Sequence, residues 1–106
     1  MTPLVRFFGE GDQNFALTPE TILELERVTD SGIGVLCWRL FKSQFGLADI
    51  QHTLRLSLIG GGKDPKQAAE LVNAYVGMRP LEESLALAVD VLHQLYFGKV
   101  ESNESN

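Results

Sequence analysis

The residues with the most obvious chemical potential are few, and their spacing decides what they could do. Gly60, Gly61, Gly62 and Lys63 have the glycines and the lysine of a phosphate-binding loop. Such a loop also needs a glycine five residues before its Gly-Lys pair and a Ser or Thr after it. Those positions hold Ser57 and Asp64, and a carboxylate there repels phosphate. The run therefore reads as a helix stop and tight turn. His52 and His93 are the only histidines, they lie on different predicted helices, and neither has the His-Glu-x-x-His spacing of a helical zinc site. Cys37, the single cysteine, falls in an apolar stripe, so it reads as a core thiol rather than a nucleophile. Ser31 and Ser57 lack a nucleophile-elbow pattern. Glu82 and Glu83 are neighbours in sequence, so on a helix they point apart, and they fit better as partners of a helix dipole. These failures predict no catalytic residues, no metal site and no cofactor.

Composition narrows the remaining classes. The 106 residues suffice for one domain, placed at 1–98, with a disordered polar tail at 99–106. Nine Lys and Arg against fourteen Asp and Glu give a net charge of −5. Broad affinity for nucleic acid runs on clustered basic residues, so no nucleic-acid partner is expected. A helix-turn-helix reading of the segments on either side of the glycine run offers only Lys66, Gln67 and Asn73 to a groove, beside Asp64 and Glu70. No stretch is long and apolar enough to span a bilayer or to resemble a signal peptide, so no membrane partner is expected either. With its lone thiol, the chain is expected in a reducing cytosol.

The positioning elements follow from periodicity. Leu4 to Leu17 alternate as a β-hairpin around Gly9, Glu10, Gly11 and Asp12. Thr18 as N-cap and Pro19 at the first helical position open a helix with Ile22, Leu25 and Val28 inward, ending at Asp30 to Gly32. Ile33, Leu36, Cys37, Leu40 and Phe41 mark a second helix, stopped by Gly46. A third spans about 48–58, with Ile50, Leu54 and Leu58 on one face, and a glycine of the run supplies its left-handed C′ residue. Asp64, Pro65 and Gln67 start a fourth, striped by Ala68, Leu71, Val72, Tyr75 and Val76. The last runs from Pro80 to Gly98, with Leu81, Leu85, Ala88, Val89, Leu92 and Tyr96 as its stripe. The fold class is mainly α: an N-terminal hairpin followed by a compact bundle of about five helices.

Apolar residues outside these stripes carry the remaining information. Val35 and Trp38 on the second helix, and Leu87 and Val91 on the last, belong either to helices buried on more than one side or to an exposed patch. Charge is uneven too: Glu20, Glu24, Glu26 and Asp30 cluster early, whereas Arg39, Lys42, Arg55, Lys63 and Lys66 occupy the middle. Solvated faces account for this, and head-to-tail self-association through complementary faces stays open.

The order of pieces is familiar. A hairpin runs into Leu-Thr-Pro-Glu-Thr-Ile-Leu-Glu-Leu-Glu at 17–26, and Asp-Ile-Gln-His-Thr-Leu-Arg-Leu-Ser-Leu-Ile-Gly-Gly-Gly follows at 49–62. Then come a Pro-started helix ending in Ala-Tyr-Val and a final helix opening Pro-Leu-Glu-Glu-Ser. Over residues 4–98 this resembles the small tail-gene family of gene transfer agents and tailed phages that is grouped with tail assembly chaperones. The resemblance implies a non-enzymatic chaperone that coats the long helical tape measure protein before the tail tube polymerises, with the tail tube protein as a further partner. The alternative is a structural component retained in the tail, at the tube end or as a connector. A helical client would dock as a helix in an apolar groove. Trp38, Phe41 and Phe45 are the candidate partner-binding residues.

Overall fold

The structure is a computed structural model that describes residues 3–98, so the tail from Lys99 to Asn106 lies outside the described residues. Strands β1 (Leu4–Phe8) and β2 (Gly11–Phe15) pair antiparallel, with Leu4 opposite Phe15 and Phe8 opposite Gly11. Only Gly9 and Glu10 form the turn, whereas the sequence suggested four turn residues. Gly9 alone has positive φ, 74°, which is what a type II′ turn asks of its first central residue; Gly11 and Asp12 are thereby released to the ladder. One face of the hairpin points inward. Phe8 meets Phe15 edge-on at 6.1 Å and Tyr75 at 6.2 Å.

Helix α1 (Pro19–Thr29) starts on a reciprocal cap: the Thr21 N–H donates to Thr18 Oγ1, and the Thr18 N–H donates to Thr21 Oγ1. Asp30, left-handed at φ 53°, ends it. Helix α2 (Ile33–Phe41) is held at its start by the Glu26 carboxylate, which accepts the Ile33 N–H at 2.8 Å. It stops at Phe41, well before Gly46. Ser43 takes the left-handed conformation that breaks it, at φ 58°. Gly46 instead caps the next helix, α3 (Leu47–Gly60), donating its N–H to Asp49 Oδ2 at 2.9 Å. Asp49 Oδ1 accepts from Arg39 at 2.9 Å, and the same guanidinium donates to Ser31 Oγ at 2.8 Å. Two of the unevenly distributed charges are thus consumed inside the fold.

Helix α3 is the central element. Ile50, Thr53, Leu54, Ser57 and Leu58 are fully enclosed, and α1, α4, α5 and β2 all pack on it. Helix α4 (Pro65–Val76) begins on the Asp64 carboxylate, which accepts from the N–H groups of Lys66 and Gln67. It buries Ala68, Val72 and Val76. Helix α5 (Leu81–Phe97) buries Ser84, Leu87, Ala88, Val91 and Leu92.

This last face corrects the predicted stripe. Leu87 and Val91 are core because α5 is covered on two sides, by the bundle and by the hairpin. Val91 lies beside Leu4 and Phe15, and Leu87 beside Phe8. Leu81 and Tyr96, expected inside, are exposed, in the first and last turns of α5.

The glycine run also does more than turn the chain. Gly61 N–H donates to Ser57 O, Gly62 N–H to Ile59 O and Lys63 N–H to Leu58 O, with Gly62 at φ 111° as the left-handed residue. This is the paired bonding of a Schellman end. Gly60 and Gly61 serve a second purpose: a Cβ on Gly60 would overlap the Ala16 carbonyl oxygen, and one on Gly61 the Asn14 carbonyl oxygen. Their missing side chains let the outer edge of β2 lie against α3, where the Ala16 N–H donates to Ser57 O at 2.9 Å.

Candidate partner-binding surface

The glycine turn cannot cradle a phosphate, because its N–H groups donate back into α3 and Gly60 and Gly61 face strand carbonyls. Burial pushes the Cys37 thiol up to about 11, which keeps it protonated and inert near neutral pH. His52 Nδ1 lies 3.1 Å from Arg55 Nη2, and burial, with that guanidinium beside it, holds the imidazole neutral to lower pH than usual. Ser57 Oγ is buried and donates to Leu54 O, and Glu83 pairs with Arg79. Among the described residues no three His, Cys, Asp or Glu side chains come together to hold a metal ion. No described helix is long and apolar enough to cross a membrane.

What stands out is an aromatic end built by α2 and α5. Helix α2 turns Leu36, Cys37 and Leu40 inward, which leaves Val35 and Trp38 outward, 57% and 55% exposed. Phe41, half-buried on the boundary, is the hub. Its ring lies 6.5 Å from Trp38, 6.1 Å from His93, 6.5 Å from Tyr96 and 6.0 Å from Phe97. His93 and Phe97, one turn apart on α5, approach to 4.6 Å. Tyr96 and Phe97 are each about three-fifths exposed. Lys42 arches over the Trp38 face, its Nζ 4.8 Å from the ring centre.

Aromatic pairs, stacked or edge-on, contribute about 0.5–1.5 kcal/mol each when well formed, enough to order the rings against one another. They leave the outer ring faces in water. Scattered exposed apolar residues are ordinary, but a contiguous group of large ones marks a contact surface. Trp and Tyr are also the side chains that dominate binding hot spots.

Of the three residues predicted from sequence, Trp38 and Phe41 stand in this cluster. Phe45 does not: it packs part-buried against the core from the α2–α3 loop, and no ring contact joins it to the others among the described residues. Val35, His93, Tyr96 and Phe97 complete the surface. Val35 falls outside its stripe in the sequence. Tyr96 falls within the stripe of α5, and Phe97 carries no separate signal because nothing local places the end of α5 beside Phe41.

Fold and surface together define a mainly helical protein with an N-terminal hairpin and an exposed aromatic end. Residues 3–98 match the model of the family described as "Phage tail tube protein, GTA-gp10", and the chain belongs to that family of phage and gene-transfer-agent tail proteins. Neither a curated protein nor a solved structure matches it.

Proposed function

We propose that the protein is a non-enzymatic tail assembly chaperone that holds an amphipathic helix of the tape measure protein against the α2–α5 aromatic surface. The observation that carries this reading is the ring group around Phe41, with Trp38, Tyr96 and Phe97 largely exposed. A long helical client exposes apolar stripes that aggregate when unshielded, and a helix laid across two helix ends covers both partners. Many copies along one client gain avidity from individually weak contacts. The family description favours a second reading, a structural subunit retained in the tail.

Co-expression with the tape measure protein of the same phage or agent tests the first reading. The chain should solubilise and co-purify with that protein, and Trp38→Ala combined with Phe97→Ala should abolish co-purification while leaving the circular dichroism spectrum unchanged. A tape measure protein that stays insoluble, or that binds the double variant equally well, overturns it. Mass spectrometry of purified particles separates the two roles. A chaperone is depleted from finished tails, and a structural subunit is present in fixed stoichiometry.

A further inference from the structure

The hairpin has two edges, and they are treated differently. The edge of β2 is closed by α3 through Gly60, Gly61 and the Ala16–Ser57 hydrogen bond. In β1 the closing pair Phe8–Gly11 fixes the phase of the ladder, so Arg6 bonds across to Gln13 while the N–H and C=O groups of Val5 and Phe7 point outward. Among the described residues no backbone hydrogen bond joins Val5 or Phe7 to another element. Natural edge strands are guarded by charges or prolines on the edge or by inward-pointing charges, and of these β1 carries only the inward Arg6. Here the outward side chains of β1 are apolar, Val5 at 51% and Phe7 at 70% exposure. A cavity of about 490 Å³ runs beneath the edge, walled by Phe8 and Tyr75 and carrying Arg6 and Asp90, with Arg79 and Glu83 already paired to each other.

We propose that the free edge of β1 is a strand-acceptor site for an extended segment of a partner protein whose side chains run apolar, acidic, apolar. Outward backbone groups repeating every second residue, with no strand beside them, are matched by another extended backbone and by little else. Paired antiparallel, the two partner residues facing Val5 and Phe7 lie on the outer face beside those side chains. The residue between them faces Arg6 on the groove side, which fixes its chemistry. Arg6 is half-exposed, only loosely paired with Asp90 at 3.8 Å, and donates from Nη1 to the Val5 carbonyl at 3.0 Å. A carboxylate opposite Arg6 draws the guanidinium toward itself and frees that carbonyl to accept from the incoming strand.

A second copy of this chain is a poorer fit. The two-fold register that uses both Val5 and Phe7 sets Arg6 directly opposite Arg6 of the second copy, and like charges across a pair are destabilising. Centring the axis on Val5 instead brings Phe7 against Pro3, which has no N–H to give.

The test uses the intact protein, nitrogen-labelled for NMR, and the capped peptide Thr-Val-Glu-Val-Thr at about 1 mM, a concentration suited to weak edge pairing. Binding should slow amide exchange at Val5 and Phe7 and leave α2 unaffected. N-methylating both peptide valines removes the donors that face β1 and should weaken binding at least about tenfold, whereas N-methylating the glutamate, whose N–H faces away, should not. Replacing the peptide glutamate by lysine should cost about tenfold at low salt and less at high salt. Equal binding of the valine-methylated peptide, or tighter binding of the lysine peptide, overturns the proposal. Protection of Val5 and Phe7 without peptide, together with a dimer in sedimentation, also overturns it, because the edge is then taken by a second copy.

Discussion

The seam between β2 and α3 and the aromatic end of α2 and α5 use opposite kinds of surface. At the seam, backbone meets backbone: two residues with no side chain let carbonyl oxygens approach a helix, and the neighbouring Phe15, Leu17 and Leu58 are buried. At the aromatic end the side chains are the largest available, they touch at ring-to-ring distances of 4.6–6.5 Å, and their outer faces stay wet. The first kind of contact tolerates almost no change, because nothing nearby is flexible enough to yield. The second tolerates change in the free protein, since its rings are only partly committed to the fold. Stability is therefore concentrated at the seam, and the proposed binding falls at the aromatic end.

This contrast can be broken most forcefully at the seam. Gly60→Ala and Gly61→Ala should each destabilise the protein by about 2–3 kcal/mol, the upper range for overpacking, because the new methyl meets a carbonyl rather than a movable side chain. Urea denaturation measures this, and a loss under about 0.5 kcal/mol would mean that the strand can back away freely. Helix α5 sharpens the comparison within one element. Leu87→Ala should cost about 2 kcal/mol as a core truncation, and Tyr96→Ala well under about 1 kcal/mol; equal costs in thermal melts would return Tyr96 to the core. The smallest expected effect is a gain. Gly34, near the start of α2, has open space where its Cβ would be, so Gly34→Ala should stabilise by about 0.5 kcal/mol. A glycine replacement that helps in α2 and harms in α3 would isolate close approach, rather than helix propensity, as the reason for the seam glycines.

Elements whose signals are local were legible in the sequence. Thr18-Pro19 and Asp64-Pro65 open α1 and α4 as capping chemistry requires, and a glycine of the run does take the left-handed position after α3. What escaped depends on neighbours distant in sequence. Gly60 and Gly61 read as a stop because the strand they accommodate lies more than forty positions earlier. Leu87 and Val91 looked surplus because a stripe assumes one buried side, and the hairpin supplies a second. Trp38 and Phe41 were visible as candidates from one helix alone. Their companions on α5 were not, since periodicity along a helix carries no information about which ring a second helix brings alongside.

The hydrogen bond from Ala16 to Ser57 also sets an order of events during synthesis. The hairpin leaves the ribosome before the helix that receives it, with roughly forty residues still to be made; at about 5–20 residues per second that is a delay of roughly 2–8 s. A two-stranded hairpin is marginal in water on its own. Through that interval Phe8, Phe15 and Leu17 have no core to enter. The nascent hairpin is thus exposed to wrong association until its partners arrive: α3 closes the β2 edge, and α4 and α5 then bring Tyr75 and Val91 to its inner face.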